Sequence, residues 1–191
     1  MIEHAHTRQS WRLGALAGRG SPLHSLAATM AVSLRPASPT DYAEIAAWIS
    51  DAAACLRWAG PKVPFPFAPA ELPELLAVPG GGSYCLAEGG RGSPIGFGQY
   101  WPRPDATVHL LRIIVRPESR GQGMGRELCG QLVSRAVASA PAQAVTLNVY
   151  RDNVAAIGLY QQLGFAVVTE RCNGDALFMA RPVLAEQAAS G

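Results

Sequence analysis

Three glycines at alternate positions, Gly121, Gly123 and Gly125, lie between Arg120 and Arg126 in the segment RGQGMGR. An apolar run, VHLLRIIV, precedes them, and a segment with helical periodicity, ELCGQLVSRAVASA, follows. The glycines are therefore predicted to form a turn between a strand and a helix. Because a helix N-terminus has unpaired N–H groups and a partial positive charge, this turn is suited to bind a phosphate group. The alternative is a helix-start turn that needs glycine only for its backbone angles.

The spacing of these glycines argues against two common nucleotide-binding motifs. A P-loop requires a lysine followed by Ser or Thr after its last glycine, and no such lysine follows here. A dinucleotide-binding fingerprint reads GxGxxG, whereas this turn reads GxGxG. The turn could still hold a pyrophosphate through its backbone N–H groups and flanking arginines, without a metal ion.

A second segment, LNVYRDNVAAIGLYQQLGF, follows one helix and one strand later, and together the two resemble the GNAT superfamily of acetyl-CoA-dependent N-acetyltransferases. The family's pyrophosphate motif, a strand ending V-x-P followed by Q/R-x-x-G-x-G/A, is matched by VRPESRGQGMG. The family's second motif is matched at Leu147, Val149, Asn153, Ala156, Tyr160, Gly164 and Phe165. The resemblance is strongest over residues 107–166 and extends from 32 to 181.

The resemblance implies how acetyl-CoA binds. In the family, two neighbouring strands splay apart and the cofactor enters between them. Here the backbone of Ile113, Ile114 and Val115 would pair with the pantetheine arm like an added strand. The other predicted cofactor-binding residues lie around the pyrophosphate and along the arm: Arg120, Gly121, Gln122, Gly123, Met124, Gly125, Arg126, Asn153 and Tyr160.

Tyr160 is the predicted general acid, and the alternative is a half-buried helix tyrosine with a hydrogen-bonded hydroxyl. Tyr160 lies seven residues after Asn153, nearly two helical turns, so the two side chains share one face of a helix. The resemblance implies that this face lies along the cofactor with the Tyr160 hydroxyl near the sulfur. There the hydroxyl could protonate the leaving thiolate.

His109 is the predicted general base, because an amine with a pKa near 10 must lose a proton before it attacks the thioester; a purely structural strand histidine is the alternative. His109 is the only histidine of the predicted domain and lies on the strand that would flank the cofactor. A period-two pattern predicts that it shares a strand face with Leu111, Ile113 and Val115. Glu118 and Glu88 are weaker candidates.

The resemblance places the acceptor opposite the cofactor, beside Trp58, Pro61, Phe65 and Phe67. The alternative for these side chains is a hydrophobic lid packed on the core. No strongly acidic patch suggests a polyamine or aminoglycoside acceptor. The predicted reaction is direct acetyl transfer, in a ternary complex, to a primary amine of a small molecule or a protein N-terminus. A non-catalytic acyl-CoA sensor of the same fold is the alternative function, and a small nucleotide-binding domain is a more distant one.

The predicted fold that positions these residues is α/β (α+β mixed) and GNAT-like, with a central, mostly antiparallel sheet, a splayed parallel strand pair and flanking helices. The segment 84–115 is predicted to form an antiparallel meander. The strands at 107–115 and 144–149 should run parallel and separate at their C-terminal ends. Periodicity and punctuation predict further strands at 32–36, 165–171 and 176–181, and helices at 40–53, 70–78, from the glycines to about 140, and at 152–164 with Asp152 as cap.

The 191 residues suit one domain, predicted at 30–183. Residues 1–29 are predicted to be a flexible extension, although an Arg- and Ser-containing, acid-poor segment can also imitate a transit peptide, and 184–191 are predicted to be a C-terminal tail. His4 and His6 in this extension are predicted to be solvated rather than metal-bound.

Composition restricts the partners. A formal net charge of +2 gives no nucleic-acid footprint, and no apolar run approaches the roughly 20 residues of a membrane span. We therefore predict no nucleic-acid or membrane partner, and a monomer or homodimer. The four cysteines form no CxxC pair, which predicts free thiols, no metal site and a cytoplasmic location.

Overall fold

The computed structural model describes residues 31–183, so the predicted N-terminal extension, with His4 and His6, and the predicted tail lie outside the described residues. Seven strands occur in this part of the chain: β1 (Val32–Pro36), β2 (Gly82–Glu88), β3 (Gly96–Pro102), β4 (Thr107–Val115), β5 (Ala144–Tyr150), β6 (Ala166–Val167) and β7 (Ala176–Pro182). Five α-helices accompany them there: α1 (Asp41–Ala47), α2 (Ala52–Ala59), α3 (Leu72–Leu75), α4 (Met124–Ser139) and α5 (Val154–Gln162).

The strands form one mixed sheet in the order β1-β2-β3-β4-β5-β7-β6. Strands β1 to β4 pair antiparallel in sequence order, β4 and β5 pair parallel, and β7 pairs antiparallel with both β5 and β6. The predicted fold class, with its antiparallel meander and parallel strand pair, is confirmed.

Strands β4 and β5 separate partway along their length. They are paired from Thr107 opposite Ala144 to Leu110 opposite Leu147, and no further pairing joins them although β4 continues to Val115. The predicted splaying is therefore confirmed. Beyond Leu110 the two strands form the walls of a cleft, which we call the strand cleft.

A β-bulge interrupts β4 where the strand cleft opens. Leu111 pairs with Gln99 on β3, but Ile114 pairs with Phe97, so two residues of β4 face one residue of β3. Arg112 lies in this bulge with φ of 53°, in the left-handed region that residues with a Cβ rarely adopt.

The bulge overturns the prediction that His109, Leu111, Ile113 and Val115 share one strand face. Ile113 packs with the cluster under α4, and a Cβ built on Gly98 would lie 3.5 Å from its Cγ1 and 2.8 Å from Leu132 Cδ2 on α4. The extra residue shifts the alternation by one position, so Ile113 and Val115 face α4, away from His109, whereas Ile114 packs with the cluster on the other face.

Helices cover both faces of the sheet. On one face α4 and α5 pack over a cluster that includes Val108, Leu110, Leu132, Val145, Leu147 and Tyr160. On the other face α1, α2 and α3 pack over a cluster that includes Tyr42, Ile45, Cys55, Leu72 and Phe97. Helices α1, α2 and α3 leave part of this face of the sheet uncovered beside β4 and β5, and the candidate active site lies there.

The predicted helix at 40–53 is two helices. The chain leaves α1 after Ala47, and Asp51 then starts α2 from an extended conformation, its carboxylate accepting a hydrogen bond from the Ala54 N–H at 2.8 Å. This N-cap satisfies a backbone donor that a continuous helix would have paired with a carbonyl.

Two other predicted elements are shorter than expected. The segment 70–78 forms a 3-10 turn at Pro69–Glu71 followed by the single turn of α3. The segment 165–171 contributes only β6 before a 3-10 turn at Thr169–Arg171.

All four cysteines are free thiols, and burial raises the pKa of Cys85 and of Cys129 to about 12. Across residues 31–183, none of the helices has the length and apolar character that crossing a bilayer requires.

A buried carboxylate fastens α1 to β1 and makes stability depend on pH. Asp41, 4% exposed, accepts hydrogen bonds from the Arg35 guanidinium at 2.6 and 2.8 Å and from the Ser38 N–H at 2.6 Å. Burial raises the pKa of Asp41, but these hydrogen bonds outweigh burial and hold it at about 2, below its ordinary value of 3.8. A lowered folded-state pKa stabilises the fold above the unfolded-state pKa, and this contribution disappears as the pH falls from about 4 to about 2.

We expect the unfolding free energy of the parent to lose about 2 kcal/mol over this pH interval through Asp41 alone. Asp41→Asn should be less stable at neutral pH and should lack this part of the pH dependence. Urea unfolding of both proteins at several pH values measures the difference. If the unfolding free energies of the two proteins changed with pH by the same amount, Asp41 would not be the source of this pH dependence.

Candidate active site

A narrow cavity of about 100 Å³ occupies the strand cleft. Its walls come from the separated ends of β4 and β5, from α2 and from α5. The lining brings together the predicted residues Ile113, Asn153, Tyr160 and Trp58 with residues that were not predicted, Arg57, Arg112, Asn148 and Tyr150 among them.

Tyr160 is 7% exposed, and its ring packs edge to face on Phe165 with centroids 6.0 Å apart. Tyr160 lines the narrow cavity, and its hydroxyl forms no hydrogen bond with any residue in the range 31–183. Burial, and then the neighbouring Cys129, raise the pKa of Tyr160 above its ordinary value. The phenol is therefore protonated at neutral pH and available as a hydrogen-bond donor.

Asn153 starts α5. Its Oδ1 accepts a hydrogen bond from the Ala156 N–H at 3.2 Å, so Asn153 is the N-cap, and the prediction that Asp152 has this role is wrong. The cap uses the carbonyl oxygen of the Asn153 side chain and leaves its NH₂ group available as a donor. One residue thus fixes the start of α5 and lines the strand cleft.

The glycine turn leads from β4 into α4. Gly121 and Gly123 have φ of 73° and 81°, and Gly123 is the N-cap of α4. Within the described part of the chain, the backbone N–H groups of residues 121–125 donate no hydrogen bond. A Cβ built on Gly121 or Gly123 would have no atom within 4 Å, so the space above the turn is open. The turn therefore has consecutive unpaired N–H groups beside open space at a helix N-terminus, which suits the binding of an anion.

Side chains hold the turn in place. Arg120 donates through Nε to the Val115 carbonyl at 3.1 Å, and Arg126 donates to Gln162 Oε1 at 2.6 Å. Gly125 differs from the other two glycines, because a Cβ there would lie 3.3 Å from Leu159 Cδ1 on α5. Its small size permits the close approach of α4 and α5.

The bulge at Arg112 is fixed from both sides. Trp58 on α2 donates through Nε1 to the Arg112 carbonyl at 2.8 Å. The Arg112 guanidinium donates to the Leu76 carbonyl at 2.7 Å and to Oε1 of Gln99 at 2.8 Å, and Gln99 is fully buried. These contacts stabilise a backbone conformation that costs on the order of 1–3 kcal/mol when unsupported. Neither Arg112 nor Gln99 belongs to a motif, so no local sequence pattern predicts their roles.

A wider cavity of about 480 Å³ adjoins the narrow one. The two share Arg57, Trp58, Arg112, Asn148 and Tyr150, and the wider cavity also reaches Pro61, His109, Asn173 and Asp175. Beside it, Arg57 on α2 forms an ion pair with Asp152 at 2.7 Å and lies over the Tyr150 ring at 4.5 Å. This ion pair connects α2 to the segment between β5 and α5, which contains Asp152.

His109 lies beside the wider cavity, on the face opposite α4. Its Nδ1 is 2.9 Å from Thr146 Oγ1 and its Nε2 is 3.4 Å from the Asn148 side-chain nitrogen. Burial, followed by the charges of Arg103 and Arg171, lowers the pKa of His109 to about 4. The imidazole is therefore neutral at neutral pH. A tautomer protonated on Nδ1 satisfies both contacts and leaves the Nε2 lone pair towards Asn148.

The other predicted residues lie elsewhere. Phe65 and Phe67 pack edge to face on each other at 5.9 Å and are absent from the linings of both cavities. Glu88 pairs with Val32 at the far edge of the sheet, and Glu118 lies 4.0 Å from Arg116 in the exposed turn after β4.

Comparison with known proteins places the chain in a family. Residues 45–165 match the model of the acetyltransferase (GNAT) family. A curated relative, the peptidyl-lysine N-acetyltransferase YjaB of Salmonella typhimurium, is 37% identical over 76 residues. That match covers 40% of this chain and 48% of the relative, so the chain spans about half the length of the curated relative that it matches.

Solved structures share the fold at low sequence identity. AAC(6')-Ib in complex with ribostamycin and coenzyme A aligns with a TM-score of 0.65 at 20% identity, covering 84% of this chain and 98% of that one. Spermidine N-acetyltransferase from Vibrio cholerae in complex with coenzyme A and spermine aligns with a TM-score of 0.64 at 19% identity, covering 82% and 97%.

Proposed function

The chain belongs to the GNAT acetyltransferase family, and we propose that it transfers the acetyl group of acetyl-CoA to a primary amine. The observation that carries this proposal is the combination of one open cleft between β4 and β5 with a row of unpaired N–H groups where β4 leads into α4. A pantetheine arm fits the first feature, because the separated strand edge offers backbone groups without a partner strand. A pyrophosphate fits the second, because it is an anion at a helix N-terminus.

The two cavities suit a ternary complex. Acetyl-CoA would enter the narrow cavity from the glycine turn, with Ile113, Ile114 and Val115 along its arm. The amine would enter through the wider cavity, between α2 and the end of β5. The two cavities meet at Trp58, Arg112 and Asn148, so the thioester carbonyl and the amine would come together there without a covalent enzyme intermediate.

The reaction needs one proton removed and one supplied. The amine nitrogen attacks the thioester carbonyl carbon, the carbon–sulfur bond breaks, and the electron pair of that bond leaves with the sulfur. Tyr160 donates its proton to the departing thiolate, since its buried hydroxyl is protonated and lacks a partner within residues 31–183. The proton released by the amine passes to His109, directly or through water, and the phenol regains a proton from solvent.

Only the neutral amine reaches the transition state in this scheme. A base with a pKa of about 4 is too weak to deprotonate a bulk ammonium ion, which has a pKa near 10. Its useful role is to accept the proton that becomes acidic once the nitrogen has bonded to the carbonyl carbon.

His109→Gln should therefore lower kcat by only about tenfold, below the usual effect of a well-matched general base. Because the pKa of His109 is about 4, kcat/KM between pH 6 and 8 should rise with amine deprotonation alone and should show no step from His109. Steady-state rates of the parent and the variant across this range test both points. An unchanged kcat in the variant would remove His109 from the mechanism.

Ligand-dependent thermal stability tests donor binding. Acetyl-CoA should raise the melting temperature more than ATP or NAD, since a ligand at 100 times its Kd stabilises by about 2.7 kcal/mol. A preference for ATP or NAD would favour a nucleotide-binding domain. Stabilisation by acetyl-CoA without turnover of any amine would favour the non-catalytic acyl-CoA sensor.

A further inference from the structure

A third cavity, of about 380 Å³, lies beyond His109 on the same face of the sheet. It shares His109 and Asn148 with the wider cavity, so it continues the acceptor path away from the strand cleft. We call it the arginine pocket because of its two guanidinium groups. Its remaining lining residues are Trp101, Arg103, Asp105, Thr107, Thr146, Arg171 and Phe178.

The two arginines are held against aromatic rings. The Arg103 guanidinium carbon lies 4.0 Å from the centroid of the Trp101 ring, and that of Arg171 lies 3.8 Å from the centroid of the Phe178 ring. Stacking occupies the flat face of a guanidinium and leaves its N–H edge available. Two donor forks are thus oriented before any ligand arrives.

Within residues 31–183 neither guanidinium forms an ion pair. The ion pairs among residues 31–183 use Arg35, Arg57 and Arg116, and no hydrogen bond in that range uses the Arg103 or Arg171 side chain. Among the described residues, Asp105 is the only carboxylate in the lining, and it accepts a hydrogen bond from Thr107 Oγ1 at 2.7 Å. Two positive charges against one negative charge leave the pocket with a net charge of +1 when His109 is neutral.

From this geometry, and resting on the proposed function, we infer that the acceptor amine carries a carboxylate that binds between Arg103 and Arg171. Planar guanidinium forks match a carboxylate in two-bonded geometry, and such charge-assisted bonds are stronger than neutral ones. The net positive charge of the pocket disfavours a polycationic acceptor. An acceptor with amines at both ends would place a second ammonium group between two guanidinium groups.

The length of the path restricts the acceptor further. Leu111 lines the narrow cavity and His109 lines the arginine pocket, and these residues are two positions apart on β4, which corresponds to roughly 7 Å along a strand. The carboxylate lies on one side of His109 and the reacting amine on the other. The acceptor is therefore elongated, with several bonds between its amine and its carboxylate.

A bound carboxylate would also change His109. The charges of Arg103 and Arg171 both lower its pKa, and Asp105 raises it. Neutralising the two arginines with an acceptor carboxylate makes the imidazole a stronger base in the ternary complex than in the free protein. Acceptor recognition and proton removal are thereby coupled through one pocket.

The test compares two compounds of equal length, 6-aminohexanoate and its neutral amide 6-aminohexanamide. Calorimetric titration into the full chain should give a Kd about tenfold lower for the carboxylate, as expected for charge-assisted hydrogen bonds. Arg103→Gln combined with Arg171→Gln should remove this preference. Arg91→Gln is the control, because Arg91 is an exposed arginine in the turn between β2 and β3.

Binding without discrimination, no binding of either compound, or a preference that survives the double substitution would overturn the inference. Acetylation assays with the same compounds separate this inference from the proposed function. If the carboxylate binds preferentially but neither compound, nor any of a panel of other primary amines, is acetylated, the carboxylate site is supported and the proposed function is contradicted. If both are acetylated with equal kcat/KM, the proposed function stands and the pocket does not select a carboxylate.

Discussion

Tyr160→Phe is expected to lower kcat about 10²-fold while acetyl-CoA still binds. Phenylalanine keeps the ring, its burial and its contact with Phe165, so the walls of the strand cleft remain. The substitution removes the one hydroxyl proposed to protonate the thiolate. Pre-steady-state measurement of CoA release at saturating amine, with calorimetric titration of acetyl-CoA, separates the chemical step from binding.

Tyr84→Phe is the matched control. Tyr84 is 8% exposed, close to the 7% of Tyr160, but its hydroxyl accepts a hydrogen bond from Arg135 away from the cleft. Its turnover should equal that of the parent. If Tyr160→Phe releases CoA at the parent rate, the general acid is another group.

Gly123→Val is expected to raise the Kd for acetyl-CoA about tenfold or more. A valine at φ of 81° is strained by roughly 1–3 kcal/mol, and relief of that strain would turn the N–H groups of residues 121–125 away from the pyrophosphate. If the backbone does not move, the side chain projects into the open space where the anion would lie. Both routes weaken binding, and calorimetric titration of acetyl-CoA measures the loss.

Gly92→Val is the matched control, because it introduces the same backbone strain at a position away from the glycine turn. Gly92 lies in the turn between β2 and β3 with φ of 80°, and a Cβ there would also have no atom within 4 Å. Both variants should lose a similar amount of unfolding free energy, but only Gly123→Val should lose acetyl-CoA affinity. If the two variants bound acetyl-CoA with equal affinity, the glycine turn would serve only to start α4 and would not bind the pyrophosphate.

Local patterns in the sequence were sufficient for much of the sheet. Strand β1 occupies the predicted 32–36, and the meander and the separated parallel pair follow from apolar runs joined by turn residues and from the two motifs. The motifs also placed Tyr160 and Asn153 at the cleft, because both depend on spacing along one helix.

The bulge in β4 has no such signal. The left-handed Arg112 is supported by Trp58, which lies 54 positions earlier, and by Gln99 on the neighbouring strand. Its conformation is therefore set by tertiary contacts rather than by its own sequence neighbourhood. The same holds for the arginine pocket, where residues from β3, β4, β5, β7 and two turns meet only in the folded sheet.

The break between α1 and α2 is an intermediate case. Asp51 is a good N-cap residue, but the helical apolar pattern continues across it, and periodicity alone favours one long helix. At the start of α5 the sequence offers two adjacent cap residues. Asn153 caps the helix, and Asp152 forms an ion pair with Arg57 instead.

Product analysis tests acetyl transfer most directly. The full chain is incubated with acetyl-CoA labelled in its acetyl group and with an excess of 6-aminohexanoate, and both products are quantified by mass spectrometry. Acetyl transfer in the strand cleft predicts labelled N-acetylated amine and free CoA in equal amounts, formed at a rate that falls about 10²-fold in Tyr160→Phe. If acetyl-CoA binds but CoA release is never matched by acetylated product, with this amine or with a panel of other primary amines, the chain is not an N-acetyltransferase.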